Sequence, residues 1–203
     1  MVSRTRMSLT VAALALFAQT MPSLAQKPLD DCPAEQAVYR LQTEDGPLEM
    51  GFLQAANFAS VASDLYLYLT TSQRTYWFSF SVSNGYSGIT LVPVSDPGAE
   101  EARESGPRAL LERDFGDEAI LADIWKSLRF YALDADMTFQ FGPPVSGGQA
   151  PAYMMVPEIG LPLWYSPQAL TEDKTALRDS IPRGIFQFDS CLPEPRAPVV
   201  RDR

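Results

Sequence analysis

The chain has 203 residues, with 25 acidic against 16 basic side chains, no histidine and two cysteines. Without histidine there is no Ser-His-Asp triad, no H-E-x-x-H zinc site and no imidazole proton shuttle. A formal charge of −9, with lysine reduced to Lys27, Lys126 and Lys174, argues against nucleic acid or an anionic leaflet as partner, since both are held by clustered Lys and Arg.

Residues 1–25 read as a secretory signal peptide. Arg4 and Arg6 give a positive start, Leu9 to Ala18 form a short apolar run, and Ser23-Leu24-Ala25 has the small-x-small form of a cleavage site. Processing there leaves 178 residues beginning at Gln26, with a charge near −11 because the leader carries two arginines and no acid. That length suits a single globular domain, placed at 26–192, which buries about 70% of the surface its unfolded chain exposes. No later apolar run is long enough for a transmembrane anchor, so the expected setting is periplasmic or secreted. Cys32 and Cys191 then lie near opposite ends of the domain in an oxidising compartment, and a disulfide between them is expected. One reactive thiol, or two intermolecular bonds, are the alternatives.

In chain order, 37–43 and 48–53 alternate apolar and polar residues around Glu44-Asp45-Gly46-Pro47, which predicts a hairpin. Segments 64–71 and 75–83 predict two strands with unequal faces, and Asn84 to Gly88 a turn into a strand over 89–94. Residues 93–107 lose their apolar content and read as a solvated loop or short exposed helix. Ile120, Leu121, Ile124, Trp125 and Leu128 fall on one side of a predicted helix, with acids early and Lys126 and Arg129 late. Alternation over 131–141 predicts the clearest strand, and Gly142 to Gly148 a flexible connection. Short runs at 152–156 and 161–165 follow. Thr171 predicts the N-cap of a second helix ended by Pro182, then a last strand at 185–191 and a flexible Pro-rich tail at 193–203.

The expected fold class is therefore α+β: a mainly antiparallel sheet of eight or nine short strands with two helices packed on it. A β-sandwich with decorating helices is the rival.

Carboxylates are the best-stocked acid/base groups. Asp134 and Asp136 share one face of the predicted 131–141 strand, about 7 Å apart by strand rise, which suits a glycosidase pair; the ordinary reading is a solvated polar face. Asp-x-Asp also suits an oxygen-liganded divalent ion, but further ligands are not evident, and no metal or cofactor is assigned. Gly85-Tyr86-Ser87-Gly88 is one residue short of the G-x-S-x-G nucleophile elbow, and no phosphate-binding glycine loop is present. Tyr66, Tyr68, Trp77 and Tyr86 fall on neighbouring strands or their turn, a candidate ligand-binding strip of rings beside hydroxyls. Core packing explains the same residues equally simply. Trp164 and Tyr165 form a second aromatic group. The leading expectation is an exported, non-catalytic domain that binds a partner protein or a small ligand such as a carbohydrate in the cell envelope. A carboxylate-dependent glycan hydrolase and a structural component of an envelope assembly are the alternatives.

Overall fold

Strands whose side chains alternate in polarity must bury one face, and this chain does so by curling its sheet until the first strand meets the last. A computed structural model describes residues 29–54, 60–83, 88–111 and 118–195. The strands are β1 (Ala37–Leu41), β2 (Leu48–Gln54), β3 (Leu65–Thr70), β4 (Thr75–Val82), β5 (Ile89–Val94), β6 (Arg129–Leu133), β7 (Tyr153–Met155) and β8 (Phe186–Cys191). Each pairs antiparallel with its sequence neighbour, and β1 pairs with β8, giving a closed eight-stranded meander. The seam runs Ala37 to Cys191, Val38 to Ser190, Tyr39 to Phe188 and Arg40 to Gln187, with an irregularity between Val38 and Tyr39. The expected open sheet with two packed helices is thus corrected to a barrel, and the sandwich with it. Period-two alternation reports which face is buried; it carries no information on whether the two sheet edges meet.

Alternate residues point inward. Tyr39, Met50, Phe52, Leu67, Phe78, Phe80, Phe130, Met154 and Phe186 are all buried in one core cluster, with edge-on ring contacts between Tyr39 and Phe52 and between Phe80 and Phe130. Eight strands enclose a space just wide enough to be filled by side chains or to hold one small ligand. Here large side chains fill it. The intervening positions include Arg40, Glu49, Thr70, Ser81, Thr90, Arg129 and Gln187, which interrupt the continuous apolar band that a barrel presents to a bilayer, while those on β3 and β4 include Tyr66, Tyr68 and Trp77. Among the described residues no helix is long and apolar enough to cross a membrane.

Antiparallel order sorts the connections between two ends. At one end Cys32 is bonded to Cys191, 159 positions away, and residues 32–34 pair with 148–150 through Ala34 N to Gly148 O and Ala150 N to Cys32 O. The segment 142–148, expected to be flexible, is tied down there. Ser63 Oγ donates to Pro144 O, Asp64 accepts from Ser146 N, and Glu35 accepts from Gly147 N. Among the described residues the three α-helices, α1 (Ala102–Ser105), α2 (Glu118–Ser127) and α3 (Gly160–Tyr165), lie in connections at the opposite end. Ile124 and Leu128 after β5, and Ile159, Leu163 and Leu170 after β7, join the core cluster and cap the barrel.

Two local expectations change. The predicted strand over 131–141 ends at Leu133, because Asp134 Oδ1 accepts the backbone N–H of both Asp136 and Thr138, and Met137 takes a φ of 62°. Phe139 then bridges back to Leu133, so the alternation continues through a tight turn. The predicted helix from Thr171 does not form: Asp173 Oδ1 is engaged by the N–H and hydroxyl of Thr175, a local alternative to helical hydrogen bonding. The run 161–165 is the helix α3.

Candidate functional site

The helix-capped end carries a buried polar cluster on which its loops depend. The β3–β4 turn places Thr71 and Arg74 close to Tyr76, and the segment 173–183 crosses beside them. Asp179, only 2% exposed, accepts from the Thr71 hydroxyl at 2.6 Å and the Tyr76 hydroxyl at 3.1 Å through Oδ2, and from Ser180 N through Oδ1. Thr71 is oriented for this because its oxygen also accepts from Gln73 N and Arg74 N. Arg74 adds a 3.0 Å ion pair to Asp173, and Gln73 donates to Arg178 O. A buried carboxylate is tolerated only with such donors, so the cluster latches the 173–183 segment to the hairpin.

Titration follows from this placement. Burial, followed by the negative charge of Asp179, pushes the Tyr76 phenol far above its ordinary value, with Arg74 acting the other way. Burial likewise raises Tyr39, whose hydroxyl donates to Pro151 O, and Tyr66. The Asp173 carboxyl is held below its ordinary value, chiefly by the Thr175 hydroxyl and N–H and then by Arg74.

Beside the latch lies a cleft of about 940 Å³. The β1–β2 hairpin forms one wall, with Arg40 and Glu49 from its strands and Thr43 and Glu44 from its loop; Thr70, Thr71 and Ser72 form the second; Ser180 and Pro182 close the third. Gly46, with a φ of 107°, lets the β1–β2 loop turn tightly, and Thr43 Oγ1 donates back to Gly46 O. Arg40 bridges Glu49 at 3.7 Å and Asp189 at 3.3 Å. The walls therefore offer hydroxyls, which both donate and accept, a guanidinium that donates, and carboxylates that accept. On the other side of the 180–183 segment is a depression of about 340 Å³ lined by Glu158, Leu161, Trp164, Tyr165, Ser180 and Arg183. Ser180 belongs to both.

The sequence-predicted residues are distributed as follows. Tyr66, Tyr68 and Trp77 do come together, on the outer face of β3 and β4 with Val94 and Leu53. They are only 1%, 2% and 8% exposed. Register explains the grouping, since Gly51, Tyr68, Trp77 and Val94 are successive cross-strand partners. The Tyr68 ring lies so close over Gly51 that a Cβ there would sit 2.5 Å from its hydroxyl, and its edge meets Trp77 at 6.0 Å. Tyr86 lies outside the described residues. Asp134 and Asp136 sit at the disulfide end, away from the cleft, with Asp134 occupied as a turn acceptor. Among the described residues no three acidic or cysteine side chains gather as a metal site. Asp179 was missed because its partners stand 108 and 103 positions away; no local pattern marks it. Trp164 and Tyr165 were visible as an aromatic pair.

Asp179→Ala leaves the Tyr76 hydroxyl without an acceptor and frees the segment behind it, so urea unfolding is expected to show a loss of about 2–4 kcal/mol, with Asp179→Asn losing less because one acceptor oxygen remains. Stability also falls in alkali. The unfolded chain releases phenolic protons near pH 10 while folded Tyr39, Tyr66 and Tyr76 keep theirs, so from about pH 10 upward the folded state holds more protons and loses ground as pH rises. Unfolding curves taken between about pH 8 and 11 are expected to show that decline, and Tyr76→Phe to make it shallower; a flat profile would contradict the burial of these hydroxyls.

No protein family matches the chain, and neither a curated protein nor a solved structure is significantly similar to it. The functional reading rests on the geometry of the helix-capped end.

Proposed function

We propose that this chain is a non-catalytic binding domain of the cell envelope, exported to the periplasm or beyond, that takes a hydroxyl-rich ligand of the carbohydrate class in the cleft between the β1–β2 loop, the β3–β4 turn and Ser180. One observation carries the reading. The barrel interior is filled by its own side chains, while the cleft has the volume of a small-molecule site and walls that mix hydroxyl and charged groups with Pro47, Leu48 and Pro182. A polyol gives up hydrogen bonds to water on binding, so it needs a surface that both donates and accepts at short intervals. Thr43, Thr70, Ser72 and Ser180 meet that need on three sides, with Arg40 and Glu49 adding charge-assisted partners. The disulfide supports the oxidising setting.

A thermal-shift panel of chito- and cello-oligosaccharides, with spermidine as a cationic comparison, tests the reading. A glycan at a hundredfold excess over its Kd stabilises by about 2.7 kcal/mol, a rise of roughly 5–10 °C for a domain of this size. Ser72→Tyr, an exposed substitution that narrows the cleft, is expected to abolish the rise while leaving the unliganded midpoint near wild type. No shift with any glycan, a shift with spermidine alone, or a glycan shift indifferent to Ser72→Tyr would contradict it.

A further inference from the structure

We infer that Trp164 and Tyr165 form a stacking platform for the same ligand on the far side of the Ser180–Arg183 segment, so that the ligand is a chain of several sugar units lying across that segment. The inference rests on the carbohydrate reading of the cleft and adds the class of glycan.

Trp164 is 42% and Tyr165 74% exposed, with Leu161 beside them, a concentration of apolar surface that folding alone does not reward. Yet the backbone beneath is rigidly held. Pro162 and Leu163 are buried, Asp179 N donates to Leu163 O at 3.0 Å, and Ser166 N donates to Pro162 O. Gly160 approaches the Ile181 carbonyl so closely that a Cβ would stand 2.9 Å from it. The Arg178 guanidinium stands over one face of the Trp164 ring, 5.4 Å from its centre, which leaves the opposite face for a ligand. Aromatic rings presented on a rigid element bind at low entropic cost.

The surroundings select the ligand. A sugar ring has an apolar C–H face that stacks on an aromatic ring and a rim of hydroxyls that require partners. Both demands are met in the 340 Å³ depression, where Trp164 and Tyr165 lie beside Glu158 and Arg183, already paired at 2.5 Å. A carboxylate and a guanidinium held together can accept from one hydroxyl and donate to its neighbour. A purely apolar peptide would leave both charges without new partners. Ser180 borders both the depression and the cleft, which makes one continuous chain the economical occupant. Asp179, the preceding residue, holds the dividing segment to the barrel.

The test is isothermal titration of the oxidised, processed chain with chito- and cello-oligosaccharides of one to six units. Affinity is expected to rise with length in the wild type. Trp164→Ala and Tyr165→Ala are each expected to weaken the longest chain by roughly three- to tenfold and to leave the shortest binding chain unchanged, whereas Ser72→Tyr weakens every length. Should both aromatic variants keep the wild-type length dependence, the platform is overturned while the cleft reading stands. If Ser72→Tyr has no effect and the aromatic variants abolish binding, a chain spanning both loci is overturned, and the cleft reading with it. Binding of no glycan overturns both. Tyr165→Ala, at a mostly exposed position, keeps the test valid if Trp164→Ala folds poorly.

Discussion

The pairing of β1 with β8 is the constraint on which the rest of the molecule depends. An open eight-stranded meander would leave two edges with unpaired backbone groups and would leave its apolar face without a partner layer. Closure removes both liabilities at once, because the sheet's own inner face becomes its core. The cost is the ordering of nearly the whole chain before the last strand can dock. The Cys32–Cys191 bond joins the residue five positions before β1 to the last residue of β8, and by the chain-entropy account a loop of that length contributes up to about 5 kcal/mol. That is comparable to the net stability of a typical domain.

Closure also decides where function can reside. With Tyr39, Phe52, Phe80 and Phe130 filling the interior, the barrel serves as a rigid stand and its helix-capped end carries the cleft. At the disulfide end, backbone pairing of 32–34 with 148–150 makes a tight lid. The other end is built from long connections that bury Ile124, Leu163 and Leu170 as a plug and leave polar walls around it. Asp179 links the two properties: it secures the 173–183 segment to the β3–β4 turn and thereby fixes the spacing of Thr71, Ser72 and Ser180.

The hairpins were legible because their signals are local. Asp45-Gly46 between alternating runs marks the β1–β2 turn, and the inward set Leu65, Leu67, Leu69 against Tyr76, Phe78, Phe80 follows directly from period two. Barrel closure was not legible, since the Tyr39 to Phe188 pairing has no local correlate. The 131–141 segment misled because a tight turn at Asp134 can preserve alternation on both sides of it. At Thr171 the same residue types that cap helices stabilise turns, and only the anchoring of Asp179 to a distant hairpin decides between them. Alternation put Tyr66 and Tyr68 on one face of β3 and Trp77 on the strand beside it. It gave no means of knowing that this face would be buried, or that Gly51 would stand beneath Tyr68 as its register partner.

Native-state amide hydrogen exchange on the oxidised protein tests barrel closure most directly. If the β1–β8 seam is the governing constraint, the amides of Arg40 and Gln187, which pair across it, belong to the slowest class, together with those of β3 and β4, and exchange only on global unfolding. Seam amides that exchange orders of magnitude faster than Leu67 and Phe78 would show that the barrel opens there while the remainder stays folded, and would contradict the account.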